Sequence, residues 1–282
     1  MNNKTILGID MGGTNIRAGL VNEHKIKSIT SRRVNGKGSM EKVLQDVFNL
    51  TDNLIDNSIT SIGIGVPGLV DLEHGIVYDA VYIPSWKKVP LKELMEERYH
   101  LPVLINNDAN CFALGEFYFG KGKGANSMIG LTIGTGLGSG IIINKKLYAG
   151  KNCGAGEFGM VDYLDKCYEY YASGQFFQNV YQMDGEVVFD LAAKGDSQAI
   201  KMYEQMGMHL GNAIRMIMYT YDVELIILGG SVRHAWPYFS KTMWQQIKTF
   251  AFTRSIENLK IEISALENSG ILGAAALHYD FT

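Results

Sequence analysis

The alternation of apolar and polar residues predicts strands and helices that follow one another along the chain. Residues 6–9 and 61–66 are apolar runs of strand length, whereas residues 40–56 repeat their apolar side chains at the spacing of one buried helix face. Residues 91–99 predict a short, charged helix, and the next apolar run begins at Val103. Strands that alternate with helices indicate the α/β fold class.

The second half of the chain repeats this order. Residues 128–133 and 141–144 predict two strands on either side of a glycine-rich segment. Residues 187–219 predict a helix with methionines on its buried face, and residues 223–228 predict an apolar strand that leads into a helix over 236–250. Residues 270–279 predict a small-residue helix suited to close packing against another element. Two similar α/β halves are therefore expected in one chain.

A strand-like run over 103–105 delivers two amides and a carboxylate, Asn106, Asn107 and Asp108, to its end, and residues 109–117 then predict a helix. Ligands of open α/β sheets bind at such strand ends, so Asp108 is a candidate for chemistry. Asparagine and aspartate are also the preferred N-caps of helices. Taken alone, this segment is better explained by a helix cap than by a catalyst.

Two glycine-rich hairpins stand at the start of the two halves. Strand residues precede and follow Asp10-Met-Gly-Gly-Thr-Asn15, and the same holds for Gly134-Thr-Gly-Leu-Gly-Ser-Gly140. A dinucleotide or P-loop motif needs a helix after its glycines, and none is predicted here. One such turn would be an ordinary hairpin. Two of them offer backbone N–H groups and threonine hydroxyls that can hold phosphate oxygens from two sides.

Further candidate residues lie in turns. Glycines surround Glu157, which indicates a close backbone approach, and Glu169 lies among tyrosines; both carboxylates can also be explained as solvated loop residues. Gly229 and Gly230 follow an apolar strand and can accept an adenosine, although tight strand-to-helix packing also requires glycine. The turn at Gly68 is explained equally well as a structural turn or a ligand contact.

The composition excludes several classes of protein. The 282 residues are 46% hydrophobic and 20% charged, with a net charge of −3 and scattered cations, so nucleic acid is not an expected partner. The apolar runs are too short to span a membrane, and a strand begins within a few residues of the N-terminus, leaving no room for a signal peptide. Cys111, Cys153 and Cys167 are expected to be reduced, buried thiols of a cytoplasmic protein; metal binding by Cys153 and Cys167 is the alternative.

Taken together, six motifs resemble the ROK family of bacterial sugar kinases, glucokinase-like members of the actin-like ATPase and hexokinase superfamily. They are Ile9-Asp10-x-Gly-Gly-Thr-Asn, Ile64-Gly65-x-Pro-Gly-x-Val-Asp71, Asn107-Asp108-Ala109-Asn110-x-x-x-x-Gly-Glu116, Thr132-Ile133-Gly134-Thr135-Gly136-x-Gly138, Gly156-Glu157-x-Gly159 and Ile226-Ile227-Leu228-Gly229-Gly230. The resemblance covers nearly the whole chain. It implies two actin-like, ribonuclease H-like α/β domains with a cleft between them: a small domain of residues 1–108 plus 269–282 and a larger one of residues 109–268.

The resemblance also implies roles for individual residues. Asp108 would be the general base that takes the proton from a sugar hydroxyl, and the sugar would also be bound by Gly68, Asn107, Glu157 and Glu169. ATP would be the phosphoryl donor, with its phosphates and adenosine held by Gly12, Gly13, Thr14, Thr135, Gly136, Gly229 and Gly230. Asp10 would organise Mg²⁺ through water. A homodimer is the implied assembly.

The sequence departs from the family pattern at two places. Met160 stands where many members have a histidine followed by a cysteine-rich zinc loop, so no structural zinc is expected. Tyr82 stands where the family has an asparagine close to the sugar. The predicted substrate is the 6-hydroxyl of glucose or a related hexose, with a β-glucoside, allose or an N-acetylhexosamine as alternatives.

Two non-enzymatic functions compete with a kinase. ROK-type repressors carry an N-terminal DNA-binding helix-turn-helix, for which the hairpin that begins at residue 6 leaves no space. A sugar- or nucleotide-binding protein without kinase activity is disfavoured by the presence of Asp10, Asp108 and both hairpins.

Overall fold

The computed structural model describes residues 4–12, 15–23 and 25–280. Its strands are, in chain order, β1 (Thr5–Met11), β2 (Asn15–Asn22), β3 (Lys25–Arg33), β4 (Ile59–Val66), β5 (Leu69–Asp71), β6 (Ile76–Tyr78), β7 (Lys88–Val89), β8 (Val103–Asn107), β9 (Met128–Ile133), β10 (Leu137–Ile143), β11 (Lys146–Leu147), β12 (Asp162–Tyr163), β13 (Lys166–Cys167), β14 (Leu225–Gly229) and β15 (Lys260–Ile263). Its α-helices are α1 (Met40–Asp52), α2 (Leu91–Tyr99), α3 (Asp108–Phe119), α4 (Tyr168–Ala172), α5 (Gln175–Tyr181), α6 (Gly185–Ala193), α7 (Ser197–Tyr221), α8 (Trp236–Ile247), α9 (Thr253–Asn258) and α10 (Ser269–Asp280). Short 3₁₀ segments cover Phe158–Met160 and Ser231–Ala235.

The chain divides into two compact units. The first contains the described parts of residues 1–126, 140–155 and 265–282, and the second contains residues 127–139 and 156–264. α3 lies in the first unit, whereas the boundary predicted from the family resemblance falls after residue 108. In this unit α3 and α10 approach so closely that a Cβ at Gly273 would lie 1.7 Å from the carbonyl oxygen of Cys111.

The first unit is built on a five-stranded sheet with the order β3-β2-β1-β4-β8. β2 is antiparallel to both β1 and β3, whereas β4 is parallel to β1 and β8 is parallel to β4. The carboxyl ends of β1, β4 and β8 therefore meet at the same edge of the sheet. Ligands bind at such an edge in open α/β folds.

Glycines allow α10 to lie directly on this sheet. A Cβ at Gly8 of β1 would be 2.2 Å from the carbonyl oxygen of Ile271, and one at Gly63 of β4 would be 1.9 Å from that of Ala274. No side chain fits in either space. The small-residue helix expected over 270–279 therefore forms, and it packs as closely as its composition predicts.

In the second unit, β14 pairs in parallel with β9 on one side and with β15 on the other. Residues 137–139, the first part of β10, extend this sheet beyond β9. The long helix α7 packs against α8, and a Cβ at Gly207 would lie 2.3 Å from the carbonyl oxygen of Phe239. Glycines thus allow close packing in both units: of a helix on the sheet in the first, and of two helices on each other in the second.

These elements confirm the predicted α/β class and most predicted strands and helices. The helix expected over 187–219 is instead two helices, α6 and α7. Gly195, with φ +86°, ends the first helix. Asp196 caps the second, with its side chain accepting from the backbone N–H groups of Gln198 and Ala199. Strand β3 was not predicted, because its residues are charged and largely exposed along the edge of the sheet.

The close contact between β4 and α10 leads to a prediction about the stability of the fold. The Gly63→Ala variant forces a methyl group against the Ala274 carbonyl and is expected to lose about 3 kcal/mol of unfolding free energy. Urea unfolding followed by circular dichroism measures this loss. Gly185→Ala is the matched control, since its methyl group would meet its nearest neighbour at 3.4 Å. Equal stability of the two variants would contradict the prediction.

Candidate functional site

The edge of the first sheet brings together four of the predicted site residues. Asp10 lies near the end of β1 and pairs in register with Gly65 of β4, and Val66 of β4 pairs with Asn107 of β8. Gly68 follows β4, and Asp108 opens α3. The parallel arrangement of these strands, rather than any nearness in sequence, gathers these residues in the first unit.

Asn107 is the N-cap of α3. Its side-chain oxygen accepts from the backbone N–H groups of Ala109 at 2.9 Å and Asn110 at 3.3 Å. Its Nδ2 donates to the carbonyl oxygen of Gly68 at 3.3 Å. One amide therefore starts the helix and also ties it to the turn after β4.

Asp108 is the first residue of α3 rather than its N-cap. Its side chain is partly buried, and Oδ1 accepts from the backbone N–H of Ala109 at 2.9 Å. Because Asn107 already makes the capping contacts, capping alone does not account for a carboxylate at position 108.

A buried amide network, which the sequence did not reveal, supports this turn. Asn106 is fully buried, and its Oδ1 accepts from the backbone N–H of Asn107 at 2.8 Å, from Asn110 Nδ2 at 2.9 Å and from the Cys153 thiol at 3.2 Å. Burial raises the pKa of Cys153 to about 11, which keeps the thiol protonated as a donor. This network fixes the backbone from which Asn107 and Asp108 project. Its sequence signal was limited to the unusual run of asparagines.

Asp10 is held by a cation and a helix end. Its Oδ2 lies 2.6 Å from Arg17 Nη2, and a Cβ at Gly270, in the first turn of α10, would lie 2.5 Å from its carboxylate carbon. The N-terminus of a helix favours a negative charge. In the same hairpin the Gly12 N–H donates to the Asn15 carbonyl oxygen at 2.9 Å, whereas Gly13 and Thr14 lie outside the described residues.

The second hairpin, residues 134–136, is braced by α4 and the turn that follows it. Glu169 Oε2 accepts from the Leu137 backbone N–H at 2.9 Å, and a Cβ at Gly136 would lie 2.5 Å from that oxygen. The Ser173 hydroxyl donates to the carbonyl oxygen of Thr135 at 3.0 Å. The carboxylate of Glu169 thus fixes the backbone of this hairpin, a contact that the sequence did not predict.

Glu157 lies close to Glu169 in the second unit. Gly156, with φ +94°, precedes it, and a Cβ at Gly156 would lie 2.7 Å from the Ser139 carbonyl oxygen, so the close approach expected here is present. Partial desolvation and the negative charge of Glu169 raise the pKa of Glu157. Met160 is the last residue of the 3₁₀ segment that follows Glu157, and it is 54% exposed.

The second unit contains a cavity of about 820 Å³, which we call the aromatic cavity. It is lined by Gly134, Thr135, Gly174, Gln175, Phe177, Gln178, Asp184, Gly185, Glu186, Phe189, Asp190, Tyr203, Ser231, Val232, His234 and Ala235. Its volume suits a nucleoside-sized ligand.

Gly229 and Gly230 do not line this cavity. They form the turn from which the backbone continues into the cavity wall. Gly230 has φ +79°, and a Cβ there would lie 2.2 Å from the carbonyl oxygen of Ile133. The wall itself is made by the following residues, including Val232, and by aromatic and acidic side chains from α5 to α7. These residues come from distant segments without a shared motif, so the sequence did not identify them.

Tyr163 and His209 anchor the start of α4. The ring of Tyr163 stacks on that of Tyr168 with centroids 4.3 Å apart, and its hydroxyl lies 3.1 Å from His209 Nδ1 and accepts from Asn212 Nδ2 at 2.9 Å. His209 is buried, and burial lowers its pKa. This cluster positions the helix that carries Glu169.

Within residues 4–12, 15–23 and 25–280, no group of three or more histidine, cysteine, aspartate or glutamate side chains could hold a metal ion. In the same part of the chain, no helix has the length and apolar character needed to cross a membrane.

Comparisons with known proteins agree with the motifs. A family model described as ROK family matches residues 6–280. An uncharacterized protein of Clostridium perfringens is 32% identical over 97% of this chain and 96% of its own, and a glucokinase of Thermotoga maritima is 27% identical over 96% of both. A xylose repressor of Caldicellulosiruptor bescii is 28% identical over 97% of this chain and 77% of its own.

Solved structures give the same result. The structure of a ROK family glucokinase from Streptomyces griseus in complex with glucose and AMPPNP has a TM-score of 0.82 at 27% identity and covers 97% of this chain and 98% of its own. A ROK family protein from Streptococcus pneumoniae in complex with sucrose has a TM-score of 0.80 at 27% identity and covers 97% of both chains. The actin-like two-domain fold is thereby confirmed.

The buried imidazole of His209 makes the fold acid-sensitive. Its pKa is lowered in the folded state, so its stabilising contribution is complete above the unfolded value of about 6.5 and is lost as the pH falls from 6.5 through the folded pKa. Each pH unit in that window removes about 1.4 kcal/mol of unfolding free energy. Urea unfolding between pH 5 and 7.5 tests this, with His209→Gln expected to show a smaller slope. The same slope in both proteins would refute it.

Proposed function

Because the chain belongs to the ROK family, we propose that it is an ATP-dependent sugar kinase that phosphorylates a hexose hydroxyl, the 6-hydroxyl of glucose or a related hexose. The observation that carries this proposal is the turn between β8 and α3. Asn107 makes the capping contacts and binds the Gly68 carbonyl, so a helix cap does not explain the adjacent Asp108 carboxylate. Glucokinases among the relatives support the same activity.

Asp108 is the proposed general base. A partly buried carboxylate can take the proton from the sugar hydroxyl as that oxygen attacks the γ-phosphoryl group, and general-base catalysis typically contributes about 10²- to 10⁴-fold to the rate. Asn107 and the backbone at Gly68 would hold the sugar beside it. By the family resemblance, Glu157 and Glu169 would accept hydrogen bonds from further hydroxyls.

The aromatic cavity is the proposed adenosine site. Its aromatic side chains can contact a base, and Asp184, Glu186 or Asp190 can accept hydrogen bonds from ribose hydroxyls. Gly12, Gly13, Thr14, Thr135 and Gly136 would bind the phosphates through backbone N–H and hydroxyl groups. Gly229 and Gly230 would shape the adenosine site through the turn that they form.

Asp10 is the residue proposed to hold Mg²⁺ through water. A carboxylate oxygen suits this ion, and Asp10 would have to open or share its ion pair with Arg17 when Mg²⁺ binds. Mg²⁺, when bound, would neutralise charge on the transferring phosphoryl group. A homodimer and a cytoplasmic location remain predictions from the family resemblance.

A panel of sugars tests the proposed activity. ADP release is measured in a coupled assay with Mg-ATP and glucose, mannose, fructose, allose, N-acetylhexosamines and cellobiose. Release with any of these supports a kinase, and the best acceptor distinguishes a hexokinase from the β-glucoside, allose or N-acetylhexosamine alternatives. The similarity to xylose repressors favours one other function, a sugar-binding protein without kinase activity. Sugar binding without ADP release would identify it.

The role of Asp108 is tested by the Asp108→Asn variant, which keeps the size of the side chain but cannot take a proton. We expect the rate of sugar phosphorylation to fall by about 10²- to 10⁴-fold, with ATP binding and unfolding free energy retained. Asp56→Asn, which changes an exposed carboxylate in a distant turn, is the control. A full rate in Asp108→Asn would mean that another group accepts the proton.

The hydrogen bond from Leu137 to Glu169 gives a second prediction. Glu169→Ala leaves the hairpin N–H without its acceptor, and the KM for ATP is expected to rise about tenfold. Glu169→Gln retains an acceptor oxygen, so its KM for ATP should stay near that of the unmodified enzyme. Steady-state kinetics with varied ATP at saturating sugar separate the two. Equal effects of both substitutions on this KM would show that the hydrogen bond does not position the hairpin.

A further inference from the structure

A second cavity, of about 730 Å³, lies in the first unit and has no role in the proposed transfer of phosphate. It is lined by Arg33, Val34, Asn35, Gly36, Lys37, Tyr82 and Pro84, and we call it the basic pocket. Two of these residues are cations and none is acidic. The pocket therefore has the electrostatic character of an anion-binding site.

The two cations of the basic pocket are not neutralised by neighbouring carboxylates. Asp46 pairs with Arg32 at 2.8 Å, and Asp79 pairs with Lys87 at 3.0 Å. Among the described residues, the side chains of Arg33 and Lys37 have no such partner. Asp46 and Asp79 are thus paired with cations outside the basic pocket.

The basic pocket is formed by two segments that pack together in the core of the first unit. Val34 is buried in the same core cluster as Ile83 and Trp86, so the segment after β3 and the segment after β6 are packed together. Trp86 Nε1 also donates to the Met40 carbonyl oxygen at 3.4 Å. Tyr82 is held with φ +70°, a left-handed conformation that is rare for an aromatic residue and is concentrated at functional sites.

The basic pocket adjoins the turn at which the sugar is proposed to bind. Asn107 donates to the carbonyl oxygen of Gly68, and the Val81 N–H donates to the carbonyl oxygen of Pro67 at 2.9 Å. Tyr82 is the next residue. Arg33 pairs in register with Asn15, beside the first hairpin, so the pocket lies at the same edge of the sheet as Asp10 and Asp108.

We propose that the basic pocket binds an anionic group, a carboxylate or a phosphate, that the sugar substrate carries at a position away from the hydroxyl that is phosphorylated. The proposal rests on the sugar kinase function proposed above and names the substrate class of that site. Arg33 and Lys37 would pair with the anion, and Tyr82 would donate from its hydroxyl or contact the sugar with its ring. Specificity would then come from charge at one end of the hexose.

Matched pairs of sugars test this proposal. N-acetylmuramic acid adds a carboxylate to N-acetylglucosamine, and glucose 1-phosphate adds a phosphate to glucose; all four retain the 6-hydroxyl. We expect kcat/KM for one anionic member to exceed that of its neutral partner by about tenfold or more at low salt, the effect of two partly screened charge pairs. The preferred pair distinguishes carboxylate from phosphate, and 0.5 M NaCl should reduce the preference.

Variants test whether the preference for the anionic sugar arises from the basic pocket. The double substitution Arg33→Ala and Lys37→Ala is expected to lower the ratio of the two kcat/KM values to about one, whereas Arg33→Lys keeps most of it. Lys27→Ala removes an exposed cation of the same strand outside the pocket and is the control, with an unchanged ratio.

Three results separate the outcomes. Phosphorylation of the neutral sugars at rates equal to or above those of their anionic partners would overturn the pocket proposal and leave the kinase standing. If no sugar yields ADP, the kinase proposal is rejected. Calorimetry with glucose 1-phosphate and N-acetylmuramic acid then tests whether the basic pocket binds an anionic sugar. Binding that the double variant loses supports it, and no binding of either compound overturns it.

Discussion

The close approach of α10 to the first sheet and to α3 is the constraint on which the candidate site depends. Gly8 and Gly63 let the helix rest on β1 and β4, and Gly273 lets it rest on α3. The same helix presents Gly270 to the carboxylate of Asp10. The strand that ends near Asp10 and the helix that begins with Asp108 are therefore positioned by one element from the far end of the chain.

The fold could be predicted where local pattern and tertiary packing agree. The strand and helix on either side of Asp108 and the small-residue helix α10 follow directly from apolar runs and composition. Strand β3 could not be recognised, because its pairing with β2 supplies the order that its charged sequence does not indicate. The break between α6 and α7 carried a signal, Gly195 followed by Asp196, but the continuing apolar spacing outweighed it.

The candidate site was predicted in its residues more than in its interactions. The motifs predict roles for Asn107 and Asp108, and the family resemblance adds Glu169, yet which of the first two caps α3 depends on backbone angles that the sequence leaves open. The bond from Leu137 to Glu169 exists because α4 folds against the hairpin, over a separation of 32 residues. The wall of the aromatic cavity is assembled in the same way, from segments that have no common motif.

The backbone of Tyr82 has a consequence for how this protein could change. A left-handed conformation costs a tyrosine on the order of 1–3 kcal/mol, whereas glycine and asparagine adopt it more easily. Selection for heat resistance would therefore favour replacement of Tyr82 by one of these residues, although the loop would lose its ring. In this segment, a gain in stability is therefore expected to remove the aromatic contact proposed for the sugar.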